Sequence, residues 1–105
     1  MRLGAWDCKI NKKESIAYKS YKKDIISERH RHRFEFNNKY KEVMEKNGLI
    51  ISATTPDNEL VEMIEWNDRF GIGTQAHPEL KSRLYEPAPL FLSLVENVIA
   101  NKYNK

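Results

Sequence analysis

Residues 49–66, LIISATTPDNELVEMIEW, place two apolar stretches on either side of a turn and decide the fold of this chain. Residues 49–53 have the branched, apolar composition of a buried strand. Residues 60–66 alternate apolar and acidic positions, which is the period of a half-buried strand. Pro56, Asp57 and Asn58 between them favour a turn. We therefore predict a β-hairpin at the centre of the chain.

Helices are predicted on both sides of this hairpin. Asn37 or Asn38 is a good N-cap and Gly48 is a typical C-terminal stop, so we expect a helix over about residues 38–47. After two prolines, six apolar side chains recur at one-turn spacing and predict an amphipathic C-terminal helix packed on a sheet. These side chains are Leu90, Phe91, Leu94, Val95, Val98 and Ile99.

The remaining segments complete an α/β pattern. Residues 1–10 read as extended chain, residues 11–24 as a lysine-rich loop, and residues 25–27 as a short strand that ends at a charged run. Residues 70–73 read as a buried strand. Strands mixed with helices indicate an α/β layered architecture, although these strands are too few to complete one.

The length and composition of the chain limit the functions that it can have. A chain of 105 residues with 40% apolar side chains forms at most one domain, and no apolar run reaches the length of about 20 residues that a membrane span needs. Cys8 is the single cysteine, which excludes an internal disulfide and suits the reducing cytoplasm. The net charge of +3 is only mildly basic, and without a nucleic-acid-binding signature it disfavours nucleic acid as a partner.

The stretch QAHPELKS, residues 75–82, carries the residues best suited to acid–base chemistry. Histidine is the side chain suited to proton transfer near neutral pH, and the carboxylate of Glu79 lies two residues after His77, where it can hold one imidazole nitrogen and stabilise the imidazolium. Spacing alone makes this a weak signal, because a surface histidine beside a glutamate is common.

A second stretch gives the histidine its context. Residues 28–38, ERHRHRFEFNN, together with the opening MRLG and residues 75–82, resemble the C-terminal part of the glutamine amidotransferase domain of the CTP synthase family. The resemblance starts at residue 1 and runs nearly to the end of the chain. It implies a partial class I glutamine amidotransferase fold, flavodoxin-like with three α/β/α layers, a mixed sheet, a hairpin and a C-terminal helix. Residues 1–105 would then be the C-terminal segment of that domain.

The same resemblance implies the chemistry. Members of the family use a Cys-His-Glu triad to hydrolyse glutamine, and the ammonia passes to a synthetase domain that aminates UTP to CTP at the expense of ATP. His77 and Glu79 match two triad members, and Arg33 matches a residue that binds glutamine. The segment itself is expected to bind no metal or cofactor, whereas the parent enzyme would use ATP and Mg in its synthetase domain.

The nucleophile of that triad is missing. The expected pattern Gly-x-Cys-x-Gly, which forms a strained elbow beside an oxyanion hole, does not occur in the sequence. Cys8 lies in WDCKI between bulky charged neighbours, and we expect it to be a buried structural thiol. The chain alone is therefore predicted to be inactive. Its expected partners are the missing N-terminal part of the domain or the synthetase domain, with glutamine as substrate of the complete domain.

Three other functions compete with this interpretation. A non-catalytic remnant of the family would act as a protein-interaction module through the surface that the missing part leaves uncovered. A small basic nucleic-acid binder using residues 29–33 is less favoured, because it rests on charge alone. A metal site built from His30, His32 and His77 is disfavoured, since the flanking guanidinium groups repel a dication.

Overall fold

One antiparallel sheet of five strands forms the framework of the computed structural model, which describes residues 2–66 and 68–103. The strands follow the spatial order β2-β1-β3-β4-β5. All of the strand pairs described are antiparallel, so the expectation of a mixed sheet is wrong for this part of the fold. The strands are β1 (Arg2–Ile10), β2 (Ile25–His32), β3 (Leu49–Thr54), β4 (Val61–Trp66) and β5 (Ile72–Thr74).

The predicted central hairpin is confirmed. β3 and β4 pair from Leu49 opposite Trp66 to Thr54 opposite Val61, with a register shift near Ala53. Asn58 closes the turn with a φ of 63°, a left-handed conformation that asparagine tolerates better than most residues.

β2 is much longer than the predicted strand over residues 25–27. It runs through the charged run and pairs with β1 from Ile25 opposite Lys9 to His32 opposite Arg2. Alternate side chains of β2 point to opposite faces, so Glu28 and His30 are buried whereas Arg29 and Arg31 are exposed. The charged run therefore forms a strand whose buried face is polar. An apolar pattern does not predict such a strand.

The segment predicted as a loop over residues 11–24 contains a helix, α1 (Ile16–Tyr21). Ser15 caps it by accepting a hydrogen bond from the Tyr18 N–H at 3.0 Å. The first two N–H groups of the helix, at Ile16 and Ala17, have no acceptor within the helix. They donate to the carboxylate of Glu65 on β4 at 2.8 and 2.9 Å. A six-residue helix is unstable by itself, so α1 depends on these tertiary contacts and not on local propensity.

Replacing Glu65 with alanine should therefore destabilise the chain by about 1–2 kcal/mol, because two helix N–H groups lose their acceptors and the helix N-terminus loses a charge. The free energy of unfolding from urea titration measures this. Glu96, exposed on the C-terminal helix, offers a matched control, and Glu96→Ala should change that free energy by less than about 0.5 kcal/mol. Equal effects of the two substitutions would contradict the capping role.

The helix predicted over residues 38–47 is confirmed in position. It begins with a 3₁₀ turn (Asn38–Tyr40) and continues as α2 (Lys41–Lys46). The Asn37 side chain accepts a hydrogen bond from the Lys39 N–H at 3.0 Å. Gly48 follows with a φ of 99°, a conformation that glycine adopts freely and that stops the helix.

The core lies between the sheet and the first turns of α1 and of the C-terminal helix. It is formed by Cys8, Ile10, Ala17, Ile26, Ala53, Met63 and Leu90. The C-terminal helix α3 (Pro89–Tyr103) reaches this core through Leu90 and meets α1 where Ser20 and Ser93 hydroxyls lie 2.6 Å apart.

The predicted packing of α3 on the sheet holds only at its first turn. Leu90 is 6% exposed, but the other five side chains of the predicted apolar face are 42–57% exposed. These five are Phe91, Leu94, Val95, Val98 and Ile99. The described residues therefore cover the rest of this face only in part. We call these five residues the α3 apolar face.

None of the described helices has the combination of length and hydropathy that crossing a lipid bilayer requires.

Candidate active site

Residues 75–82 follow β5 at one edge of the sheet and bond to β2 at the other edge. The Gln75 N–H donates to the Glu62 carbonyl on β4 at 2.9 Å, and the His77 N–H donates to the Arg29 carbonyl on β2 at 2.8 Å. Because β2 and β5 occupy opposite ends of the strand order, these bonds require the sheet to curl until its edges approach. The strand before this segment is β5, and it is half-buried, not fully buried as predicted for residues 70–73.

His77 and Glu79 form a hydrogen-bonded pair. The imidazole Nδ1 lies 2.7 Å from the Glu79 Oε2, and both side chains are solvent-accessible, at 37% and 54%. A short 3₁₀ turn (Pro78–Leu80) brings the carboxylate back to the ring, and the buried Pro78 stiffens it. The hydrogen bond from His77 lowers the pKa of the Glu79 carboxyl below its usual value. With Nδ1–H donated to Glu79, the second ring nitrogen, Nε2, is the one left to accept a proton.

Arg33 lies on the bend immediately after β2 and is exposed. Among the described residues, its guanidinium makes no hydrogen bond or ion pair. Arg29, whose carbonyl accepts the His77 N–H, comes four residues before Arg33 in the chain. Four residues span about 13 Å along an extended strand. The structure therefore joins His77 to Glu79 directly and places Arg33 on the bend after β2, with no hydrogen bond or ion pair to either of them.

Cys8 is confirmed as a buried thiol. It is 2% exposed in the core between β1 and β2, and burial, with further contributions from Glu62 and Glu28, raises its pKa to about 12. A thiol with this pKa is almost entirely protonated at neutral pH, so it is a poor nucleophile. Cys8 lacks the exposure and the low pKa that a catalytic cysteine needs.

Sequence reasoning did not find a buried charged cluster behind the arginine run. Arg2, 4% exposed on β1, donates through Nε and Nη2 to both carboxylate oxygens of Glu35 at 2.7 and 2.6 Å. Its Nη2 also lies 2.5 Å from Oε1 of the buried Glu62. Its guanidinium lies 5.6 Å from the centre of the Trp6 ring, a cation–π distance. Burial lowers the pKa of Arg2, but its bonds with Glu35 and Glu62 outweigh burial and raise it.

Two histidines of the run extend this cluster. His30 is 2% exposed, its Nδ1 lies 2.9 Å from the His32 Nε2, and the His32 Nδ1 lies 2.9 Å from the Phe34 carbonyl oxygen. A carbonyl only accepts, so His32 Nδ1 carries a proton and, in the neutral ring, its Nε2 accepts from His30 Nδ1–H. Burial, with the charges of Arg2 and His32, lowers the pKa of His30 to about 4. The signal in the sequence was the period of two in RHRHR, which puts histidines inside and arginines outside.

Acid should destabilise the fold through His30. Its pKa is about 4 in the fold against 6.5 as the ordinary value, so between these pH values the unfolded chain binds the extra proton. The contribution of His30 to the free energy of unfolding is fully present above about pH 6.5. Acidification from pH 7 to pH 5 should lower the free energy of unfolding by about 2 kcal/mol. Urea midpoints across this pH range measure the loss of stability. The control variant His77→Gln should lose as much stability on acidification as the wild type. A His30→Gln variant with the same loss would contradict the assignment.

The three histidines do not form a metal site. His30 and His32 bond to each other and to backbone, and His77 pairs with Glu79. Within residues 2–66 and 68–103, no group of three histidine, cysteine or acidic side chains is arranged to hold a metal ion.

Comparisons with known proteins identify the fold. The model of the glutamine amidotransferase class-I family matches residues 2–97. The chain belongs to the class I glutamine amidotransferases. The glutaminase domain of Trypanosoma brucei CTPS, solved with bound acivicin, superposes with a TM-score of 0.86 at 46% identity, over 90% of this chain and 38% of that one.

Within this amidotransferase family, the chain is similar to CTP synthases. It is 52% identical to CTP synthase of Chlorobium phaeobacteroides over 106 aligned positions, which cover 100% of this chain and 18% of the relative. It is 48% identical to that of Clostridium kluyveri over 104 positions, 98% of this chain and 19% of the relative. The chain thus spans about a fifth of the length of its CTP synthase relatives.

These findings confirm the predicted family and the predicted amidotransferase fold with its hairpin and C-terminal helix. The glutaminase domain of CTP synthase is the part of the relatives that the chain resembles in structure.

Proposed function

We propose that this chain is the C-terminal segment of the glutaminase domain of a CTP synthase and supplies two members of its catalytic triad. The observation that carries the proposal is the 2.7 Å hydrogen bond between His77 Nδ1 and Glu79, on a segment held by backbone bonds to β2 and β4. This arrangement fixes one imidazole tautomer and leaves Nε2 free as a base.

In the proposed reaction, His77 Nε2 takes the proton of a cysteine thiol, and the thiolate attacks the side-chain amide carbon of glutamine. The tetrahedral intermediate collapses to a thioester when the imidazolium returns the proton to the departing ammonia. Water, deprotonated by the same imidazole, then hydrolyses the thioester to glutamate and regenerates the thiol. Glu79 holds the ring in place and stabilises its charged form during each transfer.

Arg33 has the chemistry to bind the substrate. Its exposed guanidinium has no ionic partner among the described residues, and glutamine offers an α-carboxylate that a guanidinium binds through two hydrogen bonds. Position and free charge therefore support a role for Arg33 in holding the glutamine end that does not react.

The nucleophile must come from elsewhere in this proposal, because Cys8 is buried and its pKa is raised to about 12. The chain covers 38% of the similar glutaminase-domain chain, so we assign the missing cysteine to a preceding N-terminal part of the same domain. That part would also cover the α3 apolar face. We further propose that the ammonia is used in a synthetase domain that binds ATP, Mg and UTP, that this segment holds no cofactor, and that the enzyme is cytoplasmic, where Cys8 stays reduced.

The test is to restore the missing part. In a joined protein, this chain replaces the matching segment of the glutaminase domain of Clostridium kluyveri CTP synthase, to which it is 48% identical. We expect the isolated chain to release no ammonia from glutamine and the joined protein to release it. Replacing the nucleophilic cysteine of the N-terminal part with serine is the matched control. A folded joined protein without cysteine-dependent ammonia release would overturn the proposal.

The α3 apolar face favours a second candidate function, a non-catalytic interaction module. Five large apolar side chains are 42–57% exposed on one helix, which is typical of a surface that another protein covers. On this interpretation the isolated chain binds a CTP synthase chain through α3 without restoring turnover. Sedimentation of the isolated chain with a complete CTP synthase distinguishes the candidates, because only an interaction module should bind a relative that already has its own matching segment. Leu94→Lys should abolish that complex.

A further inference from the structure

The turn that presents Arg33 is held from behind by two sets of side-chain contacts, one made by Glu35 and one by His32. It comprises residues 33–36, which follow the end of β2 and precede the 3₁₀ turn at Asn38–Tyr40; we call it the Arg33 turn. Arg33 and Phe34 are exposed on it, whereas Glu35 and Phe36 are half-buried. A turn with an exposed tip at a strand end would ordinarily be mobile.

The first anchor joins the turn to β1. Both oxygens of Glu35 bond to the Arg2 guanidinium at 2.7 and 2.6 Å, a two-point contact that fixes angle as well as distance. Arg2 is itself immobilised, since it also bonds to the buried Glu62 on β4 and lies over Trp6. Burial favours the neutral form of Glu35, but the hydrogen bond and charge of Arg2 outweigh burial and lower its pKa. Glu35 is therefore ionised at neutral pH and keeps this contact.

The second anchor joins the turn to the inner face of β2. The Phe34 carbonyl accepts a hydrogen bond from His32, whose other nitrogen bonds to the buried His30. The bonded carbonyl belongs to the Phe34–Glu35 peptide, so this chain of two imidazoles restrains the backbone one residue beyond Arg33. Arg33 thus lies between two restrained residues, His32 at the end of β2 and Phe34 in the turn.

From these contacts we infer that Glu35 and His32, with Arg2 behind Glu35, are positioning residues that hold Arg33 ready for the α-carboxylate of glutamine. The inference rests on the proposed function, since it concerns the substrate assigned there. A free arginine side chain on a mobile turn loses side-chain entropy and further backbone entropy when it binds. Anchoring the turn in advance removes the backbone part of that cost from substrate binding.

The two arginines within β2 show why the Arg33 turn needs side-chain anchors. Arg29 and Arg31 are exposed like Arg33, but they lie within β2, where pairing with β1 at Ala5 and Leu3 fixes their backbone. Arg33 lies just beyond the last strand pair, His32 with Arg2. Only Arg33 therefore needs side-chain anchors to keep its backbone in place, and Arg31 is a suitable control for charge without anchoring.

The experiment measures order and substrate binding separately. In the full 105-residue chain, ¹⁵N relaxation and amide exchange report the order of residues 33–36 in the wild type, Glu35→Ala, Glu35→Gln and His32→Ala. In the joined protein, steady-state kinetics give KM and kcat for L-glutamine. We expect Glu35→Ala to loosen the turn and raise KM about tenfold with kcat within about twofold, because the contact binds ground state and transition state alike. Glu35→Gln, which keeps one acceptor, should recover part of the loss.

The outcomes separate the two proposals. If Arg33→Ala raises KM but Glu35→Ala and His32→Ala leave both the turn and KM unchanged, the positioning role is wrong and the proposed function stands. If Arg33→Ala itself leaves KM unchanged, the glutamine-binding role of Arg33 fails, and the positioning role fails with it. Arg31→Ala should leave KM within about twofold, since it lies outside the anchored turn.

Discussion

Replacing His77 with glutamine in the joined protein is expected to lower kcat for glutamine hydrolysis by about 10²–10⁴-fold, the range that a positioned general acid–base contributes. Glutamine keeps the size and the backbone N–H that donates to Arg29, so the segment stays in place while the proton carrier is lost. Ammonia release at saturating glutamine measures the effect, and KM should change little because His77 does not hold the substrate.

Glu79→Gln is the graded companion to this substitution. It leaves the imidazole in place but removes the charge that lies 2.7 Å from its Nδ1, so a smaller loss than that of His77→Gln is expected. The circular dichroism of both variants in the isolated chain should match the wild type, since both side chains are solvent-accessible. Wild-type turnover by His77→Gln would exclude His77 as the base.

The largest effect on stability is expected at Arg2, outside the His77–Glu79 pair. Arg2→Met should lower the free energy of unfolding by about 3–5 kcal/mol, because Glu62, 2% exposed at its side chain, is left as a buried carboxylate without its cation. Glu35 loses both of its bonds to Arg2 as well. Urea unfolding followed by tryptophan fluorescence measures the change.

Arg31→Met is the matched control for Arg2→Met. Arg31 lies on the partner strand but is exposed and has no described ionic partner, so its replacement should cost less than about 0.5 kcal/mol. Arg2→Lys should fall between the two, since an ammonium keeps the charge but cannot bond to both oxygens of Glu35 and to Glu62 in the same fork geometry. A loss below about 1 kcal/mol for Arg2→Met would show that the cluster does not support the fold.

The parts of the fold that the sequence predicted correctly have local causes. Alternation and a turn motif predict the central hairpin, and Asn37 and Gly48 bound the helix between β2 and β3. The pair His77 and Glu79 was also predictable, because two residues of spacing around a proline leave a short reach between the side chains. In each case the deciding contacts lie within a few residues along the chain.

The parts that were missed depend on distant residues. α1 forms because Glu65, far along the chain, accepts its first N–H groups. β2 continues through a charged run because Arg2 and Glu62 neutralise one another beneath it. A hydropathy pattern does not predict this strand, because it scores each residue alone and takes no account of ion pairs between distant residues. The α3 apolar face was expected to pack on the sheet, and its pattern is correct, but the pattern does not identify what covers it.

The closure of the curled sheet by residues 75–82 has a consequence for how the site assembles in time. Lys81 donates to the Ser27 carbonyl at 2.6 Å across a sequence separation of 54 residues, and His77 reaches β2 in the same way. Closing a loop of this length costs about 3–4 kcal/mol of chain entropy, which is recovered only when both strands are in place. Contacts of this kind slow folding, so we expect the His77–Glu79 pair to form late, after the local hairpin has formed. The site is then also the first region to come apart when the fold loosens.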